Sequence, residues 1–133
     1  MFAKQHKQRI ARLEAQLARD RAVHEALDRS SAVVELDLQG TVVDANENFC
    51  TMTGFSREAL VGQPHASLCD PVYANSQAYK QFWSDLRAGK YFQGRFRRRH
   101  RSGQAIWLEA TYNPIHDPAS GEVVRILKFA SDV

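Results

Sequence analysis

Two strands near the carboxyl end constrain the fold of this 133-residue chain more than any other feature. Ala105 to Pro114 and Val123 to Ser131 both read as strands, and Asp117-Pro-Ala-Ser-Gly121 supplies the turn between them. In the first, Ile106, Leu108, Ala110 and Tyr112 point one way, while Trp107, Glu109 and Thr111 point the other. In the second, Val124, Ile126 and Ala130 oppose Val123, Leu127 and Phe129. An antiparallel sheet with one face in water alternates apolar and polar residues cleanly. Both faces here carry apolar side chains. One face is therefore expected to roof an internal pocket, and the other to meet a helix or another chain. That is the geometry of a sensor rather than an enzyme.

The length suits one domain with an appended element and allows a real core. At 44% hydrophobic and 25% charged residues, the composition is that of an ordinary globular protein. No apolar run approaches the roughly 18 residues of a membrane span, and the opening Met1-Phe-Ala-Lys-Gln-His-Lys7 lacks the apolar core of a secretion signal. Two cysteines, Cys50 and Cys69, are too few for a disulfide framework, so reduced thiols and a cytoplasmic location are expected.

Residues 3–29 contain no Gly or Pro, and Ile10, Leu13, Leu17, Asp20, His24 and Leu27 fall on heptad a/d positions. A helix about 35–40 Å long with so narrow a stripe is marginal alone in water and needs a partner. That partner is a second copy of itself, making a homodimer through Leu13 and Leu17, or the outer face of the sheet.

A hairpin follows, Ala32–Leu38 and Thr41–Ala45 about the turn at Gln39-Gly40. Asn46 opens a short helix that Gly54 stops, and Ser56 caps the next. A longer helix is expected from Tyr73 to Ala88, with Ser76, Tyr79, Trp83 and Leu86 on one face and Phe82 beside it. A strand from Tyr91 to His100 precedes the final two. The order implies an α+β domain with a single five-stranded antiparallel sheet and short helices across one face.

This order resembles the PAS sensor domain from about residue 32 to 133. The general signals are Gly40 in the first hairpin, Asn46 at the helix start, Gly54-Phe55 at its close and Leu60-Val-Gly62 after the next helix. Gly62-Gln-Pro-His65, Phe82-Trp83, Leu86, Gly89, Gly94, Arg98, Gly103, Trp107 and Asn113-Pro114-Ile115 are similar to the PAS domains of bacterial methyl-accepting chemotaxis proteins, the aerotaxis receptor among them. The ending Phe129-Ala-Ser-Asp132-Val133 resembles the junction where such domains hand over to a signalling helix. With the helix read above over residues 1–29, the resemblance implies a PAS domain over 30–133, expected to be cut from a longer receptor.

It also marks a ligand site. His65 matches a histidine that lies near bound flavin in the aerotaxis receptor. The Arg-His pair that follows there is replaced here by about Cys69-Asp70, which removes two cations where a pyrophosphate would be held. Haem would need an axial imidazole or thiolate, and His65 and Cys69 are the candidates on the pocket-side stretch. FAD, haem, another small molecule and an empty pocket all stay open. Asn46 either caps its helix or bonds a ligand. Tyr79, Phe82, Trp83 and Leu108 complete the candidate lining, and Trp107, on the opposite strand face from Leu108, is expected to be a packing anchor. Trp107 and Asp132 lie on the expected route of signal exit.

No catalytic signature is present: there is no Gly-rich phosphate loop, Gly-x-Ser-x-Gly, His-Glu-x-x-His or Cys-x-x-Cys motif. The run Arg95-Phe-Arg-Arg-Arg-His-Arg101 invites nucleic acid, but on a strand Arg95, Arg97 and Arg99 share one face opposite Phe92, Gly94 and Phe96. A solvated hairpin edge is the simpler reading, and no nucleic-acid partner is expected. The chain is expected to sense a small molecule, redox state or gas and to relay it to a downstream signalling domain. The alternative is a ligand-free module for dimerisation and positioning, marked by Tyr79, Phe82 and Leu108 filling the pocket.

Overall fold

The computed structural model describes residues 2–133. The chain divides into two units, one N-terminal helix and one α+β unit from Ser31 onward. Helix α1 (Phe2–Ser30) is a single uninterrupted helix with no buried residue. Leu13 and Leu17 are exposed along it, and His24 pairs with Asp28 one turn on.

In the second unit, β1 (Ala32–Leu36) and β2 (Val42–Ala45) form the first hairpin. Asp37 makes its turn by accepting from the backbone amides of Gln39 and Thr41. Gly40 has φ of 82°, and a Cβ there would stand 3.2 Å from the Trp83 indole, so the position requires glycine on two counts. The helices α2 (Glu47–Thr53), α3 (Arg57–Leu60), a 3₁₀ turn (His65–Leu68), α4 (Pro71–Ala74) and α5 (Gln77–Arg87) follow. Strands β3 (Phe92–Arg99), β4 (Ala105–His116) and β5 (Val123–Asp132) close the chain.

The sheet is five-stranded in the order β2-β1-β5-β4-β3, antiparallel throughout. The fold class expected from the sequence is met. The last strand therefore lies at the centre, between β1 and β4, and β3 forms an edge. The period-2 pattern sorts the middle of each strand as expected: Leu108, Ala110 and Tyr112 on β4 and Ile126 and Ala130 on β5 are buried, while Trp107 and Glu109 are exposed. At the start of β5 it fails, because a register shift between Ile115 and His116 leaves Val124 exposed and packs Val123 against the core.

One helix differs from expectation. The continuous helix from Tyr73 to Ala88 is two helices, broken at Asn75-Ser76. Ser76 accepts from the Tyr79 amide and donates to the Tyr73 carbonyl, so it caps α5 rather than lining its face. The shorter α5 still buries Tyr79, Phe82, Trp83 and Leu86 at the expected spacing.

Candidate functional site

The interior of the second unit is built around one histidine. His65 opens the 3₁₀ turn, where its amide donates to the Gly40 carbonyl at 2.7 Å, tying the turn to the first hairpin. Its side chain is fully buried. Nδ1 lies 2.7 Å from the Tyr79 hydroxyl on α5, and Nε2 lies 3.0 Å from the Tyr112 hydroxyl on β4. Beyond it, Arg98 Nη2 on β3 donates to the same Tyr112 oxygen at 3.0 Å. Tyr79, His65, Tyr112 and Arg98 thus form one hydrogen-bonded chain from helix to edge strand.

Donor and acceptor counting assigns the tautomer. Tyr112 Oη accepts from Arg98, so its own proton is best used on an acceptor, and His65 Nε2 is the one in reach. His65 Nδ1–H then donates to the Tyr79 hydroxyl oxygen. The opposite tautomer leaves the Tyr112 proton without a use. His65 is therefore held neutral, and burial first, then the cations Lys128 and Arg98, push its pKa well below the ordinary 6.5.

Lys128 is the second unusual group. It lies on β5 directly opposite Tyr112, fully buried, and its Nζ has no hydrogen-bond partner. The amine stands 4.9 Å from the Tyr112 ring centroid and 5.5 Å from that of Phe49. Burial first and Arg98 second pull its pKa well below 10.5. Tyr112, buried and beside these groups, has its own pKa pushed up to about 12, with burial the main cause. Cys69 Sγ lies 3.8 Å from His65 Nδ1, and burial raises its pKa, so it is a thiol rather than a thiolate.

Aromatic rings fill the remaining space. His65 meets Trp83 and Tyr112 edge-on at centroid distances of 5.7 and 5.6 Å. Phe82 contacts Tyr112 at 4.9 Å and Phe92 at 4.8 Å. Leu108 is buried on the same sheet face.

Of the residues expected to line a pocket, the structure brings His65, Cys69, Tyr79 and Trp83 into one cluster, with Phe82 packed against it and Leu108 nearby in the core. Asn46 stands apart. Its Oδ1 accepts from the Phe49 and Val33 amides, at 3.0 and 2.9 Å, and its Nδ2 donates to the Ser31 carbonyl. It caps α2 and pins the start of β1. Trp107, expected to be a packing anchor, is 54% exposed on the outer face. Asp132 ends β5 opposite Leu108, and the Val133 amide donates to the Trp107 carbonyl.

Three residues of the buried network lay outside the expected site: Tyr112, Arg98 and Lys128. Period-2 alternation puts Lys128 between inward Ile126 and Ala130, and that signal alone could have found it. Arg98 sits in a basic run expected to be solvated. Arg95, Arg97 and Arg99 are exposed, but Arg98 is 3% exposed because its register places it with Phe92 and Phe96.

A family model described as the PAS fold matches residues 42–130. The chain belongs to the PAS family. This PAS domain is 50% identical over 108 residues to the biofilm dispersion protein BdlA of Pseudomonas aeruginosa, an alignment covering 81% of this chain and 26% of that one. It is 27% identical over 88 residues to the aerotaxis receptor of Escherichia coli, covering 66% of this chain and 17% of the receptor. The chain therefore spans only about a quarter of the first of these relatives and less of the second. Among solved structures, a PAS domain from Colwellia psychrerythraea superposes with a TM-score of 0.72 at 28% identity, covering 88% of this chain and 97% of that one. The resemblance to chemotaxis-receptor PAS domains drawn from the Gly62-Gln-Pro-His65 segment is met by these relatives. Among the described residues, no helix is long and apolar enough to cross a membrane.

The two cofactors the sequence raised fit this interior poorly. Both ring nitrogens of His65 are engaged by tyrosine hydroxyls, and Cys69 is a protonated thiol, so neither offers a lone pair ready for haem iron. For a flavin, Arg98 and Lys128 supply buried cations, but the packed rings of Tyr79, Phe82, Trp83 and Tyr112 occupy the centre of the domain.

Proposed function

We propose that this PAS domain is the cytoplasmic signal-input module of a chemotaxis-type receptor, with the Tyr79–His65–Tyr112–Arg98 chain as its responsive element. The observation that carries the reading is a fully buried, neutral histidine hydrogen-bonded at both ring nitrogens, beside a lysine with no partner, in a chain half identical to BdlA. Buried polar networks are ordinarily fully satisfied. One that leaves Lys128 Nζ and Arg98 Nε unpaired stores free energy that a guest or a rearrangement releases.

The route from network to output follows the strands. Tyr112 and Lys128 face each other across β4 and β5, and Arg98 joins β3 to the same hydroxyl. A small molecule, gas or redox change that altered the hydrogen bonds of His65 would therefore bias the last three strands together. Past Lys128, β5 continues to Asp132, from which the change would pass to a downstream signalling domain. Trp107 and the outer sheet face, with Leu13 and Leu17 of the helix, form the surfaces through which a homodimer would feel the change. The stimulus must bind the two arrangements with different affinity, since equal binding shifts nothing. Free Cys50 and Cys69 thiols suit a reducing compartment.

A second reading has one observation in its favour. Tyr79, Phe82 and Leu108 are all buried and the rings pack on one another, as in a ligand-free module for dimerisation and positioning. An absorption spectrum of freshly purified protein, with mass spectrometry of whatever denaturation releases, separates the two. A released molecule whose occupancy falls in His65→Ala supports sensing. A protein that releases nothing, and dimerises identically with and without His65, supports positioning.

A further inference from the structure

Arg98 also borders a groove that the His65 network does not use. The groove, about 810 Å³, runs where α4 and the start of α5 meet the free edge of the sheet at β3. Its apolar walls are Val72, Tyr73, Phe96 and Trp107. Val72 is 82% exposed and Trp107 54%. A single exposed apolar side chain is ordinary, but two on one concave surface mark a place for a guest.

The charge of the groove is one-sided. Arg95, Arg97 and Arg98 line it against the single carboxylate of Asp70, which lies 3.9 Å from Arg97. Arg98 is the innermost of the three. It stands 5.8 Å from the Tyr73 ring and 5.1 Å from the Phe96 ring, and its Nε–H is buried with no partner. A β-strand partner is disfavoured, because Arg95, Arg97 and Arg99 charge the edge it would pair with. The volume is that of a small-molecule site.

We propose that this groove binds a small amphipathic organic anion. Its apolar body lies against Tyr73, Phe96 and Trp107, and its carboxylate is received by the exposed guanidinium groups of Arg95 and Arg97, with Arg98, already committed to the Arg97 carbonyl and the Tyr112 hydroxyl, forming the inner wall. Because Arg98 also donates to Tyr112, occupancy of the groove is felt by the buried network. The groove shares Arg98 with the His65 chain, but the binding of the anion does not rest on the reading given to that core.

Naphthalene-2-carboxylate and its neutral twin naphthalene-2-carboxamide, titrated into the full chain and followed by amide ¹H–¹⁵N spectra, test the proposal. The carboxylate should bind about tenfold more tightly than the amide or better, as charge-assisted contacts dictate. Its shifts should concentrate at residues 70–78, 95–98 and 107. Arg95→Gln with Arg97→Gln, both at exposed positions, should bring the two affinities together without loss of the fold. Equal affinities in the unaltered chain would overturn the anion assignment. Shifts centred elsewhere, shifts that follow protein rather than probe concentration, or no shifts with either probe would overturn the site.

Discussion

Replacing Lys128 by methionine keeps an unbranched side chain of similar length and removes the amine. In the structure that amine is fully buried, without a hydrogen-bond partner, above the faces of Tyr112 and Phe49. An unsatisfied buried donor costs about 1–3 kcal/mol. The two ring faces would offset part of this for a cation, but burial and Arg98 drive the amine toward its neutral form, which they hold weakly. Lys128→Met should therefore stabilise the domain by at least about 1–3 kcal/mol at pH 7, the cost of the unsatisfied donor alone. The pH dependence carries the sharper signature. Between its depressed folded pKa and 10.5, Lys128 binds a proton when unfolded and not when folded. Folded stability from this group thus rises with pH through that window and is lost as pH falls, by up to about 1.4 kcal/mol per unit. The variant lacks this dependence, so its advantage should shrink steadily as the pH climbs toward 10. Urea unfolding of both proteins at pH 7, 8.5 and 10 measures it. Parallel pH dependences, or a loss of about 3–5 kcal/mol on substitution, would show Lys128 to be a charged, partnered group and refute the reasoning.

Tyr112→Phe removes the hydroxyl shared by His65 and Arg98, leaving two buried groups unpaired, and should cost about 2–4 kcal/mol in urea unfolding. It should also change the ¹⁵N signature of the His65 ring, since Nε2 loses its donor. Asn46→Ala removes the cap of α2 and the tie to Val33 together, and a loss of about 1–2 kcal/mol is expected, with amide exchange quickened at Phe49 and Val33. Leu13→Asp with Leu17→Asp should weaken self-association in sedimentation experiments, because both exposed leucines lie on the apolar stripe of α1. An unchanged association constant would move the interface to the sheet.

Sheet alternation, caps and turns were legible because they are local. Ser56 and Asn46 cap where their side chains reach an amide three residues on. Gly54 stops α2 in the left-handed region, where a Cβ would also collide with His100 at 2.6 Å. The break at Ser76 was missed because the apolar spacing of Tyr79, Trp83 and Leu86 continues smoothly past it. The competition that ends α4 is a side chain bonding its own backbone, which periodicity does not record. Arg98 was missed for a related reason: charge argued for solvent, while strand register placed it inward with Phe96.

By itself, then, the chain determined most of its elements, their order and the inward face of each strand's middle, since these depend on neighbours a few residues apart. The tertiary structure alone decided the chemistry of the core. His65 and Tyr112 are 47 residues apart, and nothing in either neighbourhood announces that they will share a hydrogen bond. Lys128 became an unpaired amine only when β5 took the centre of the sheet opposite Tyr112, where the ring faces that enclose it offer no acceptor for its protons.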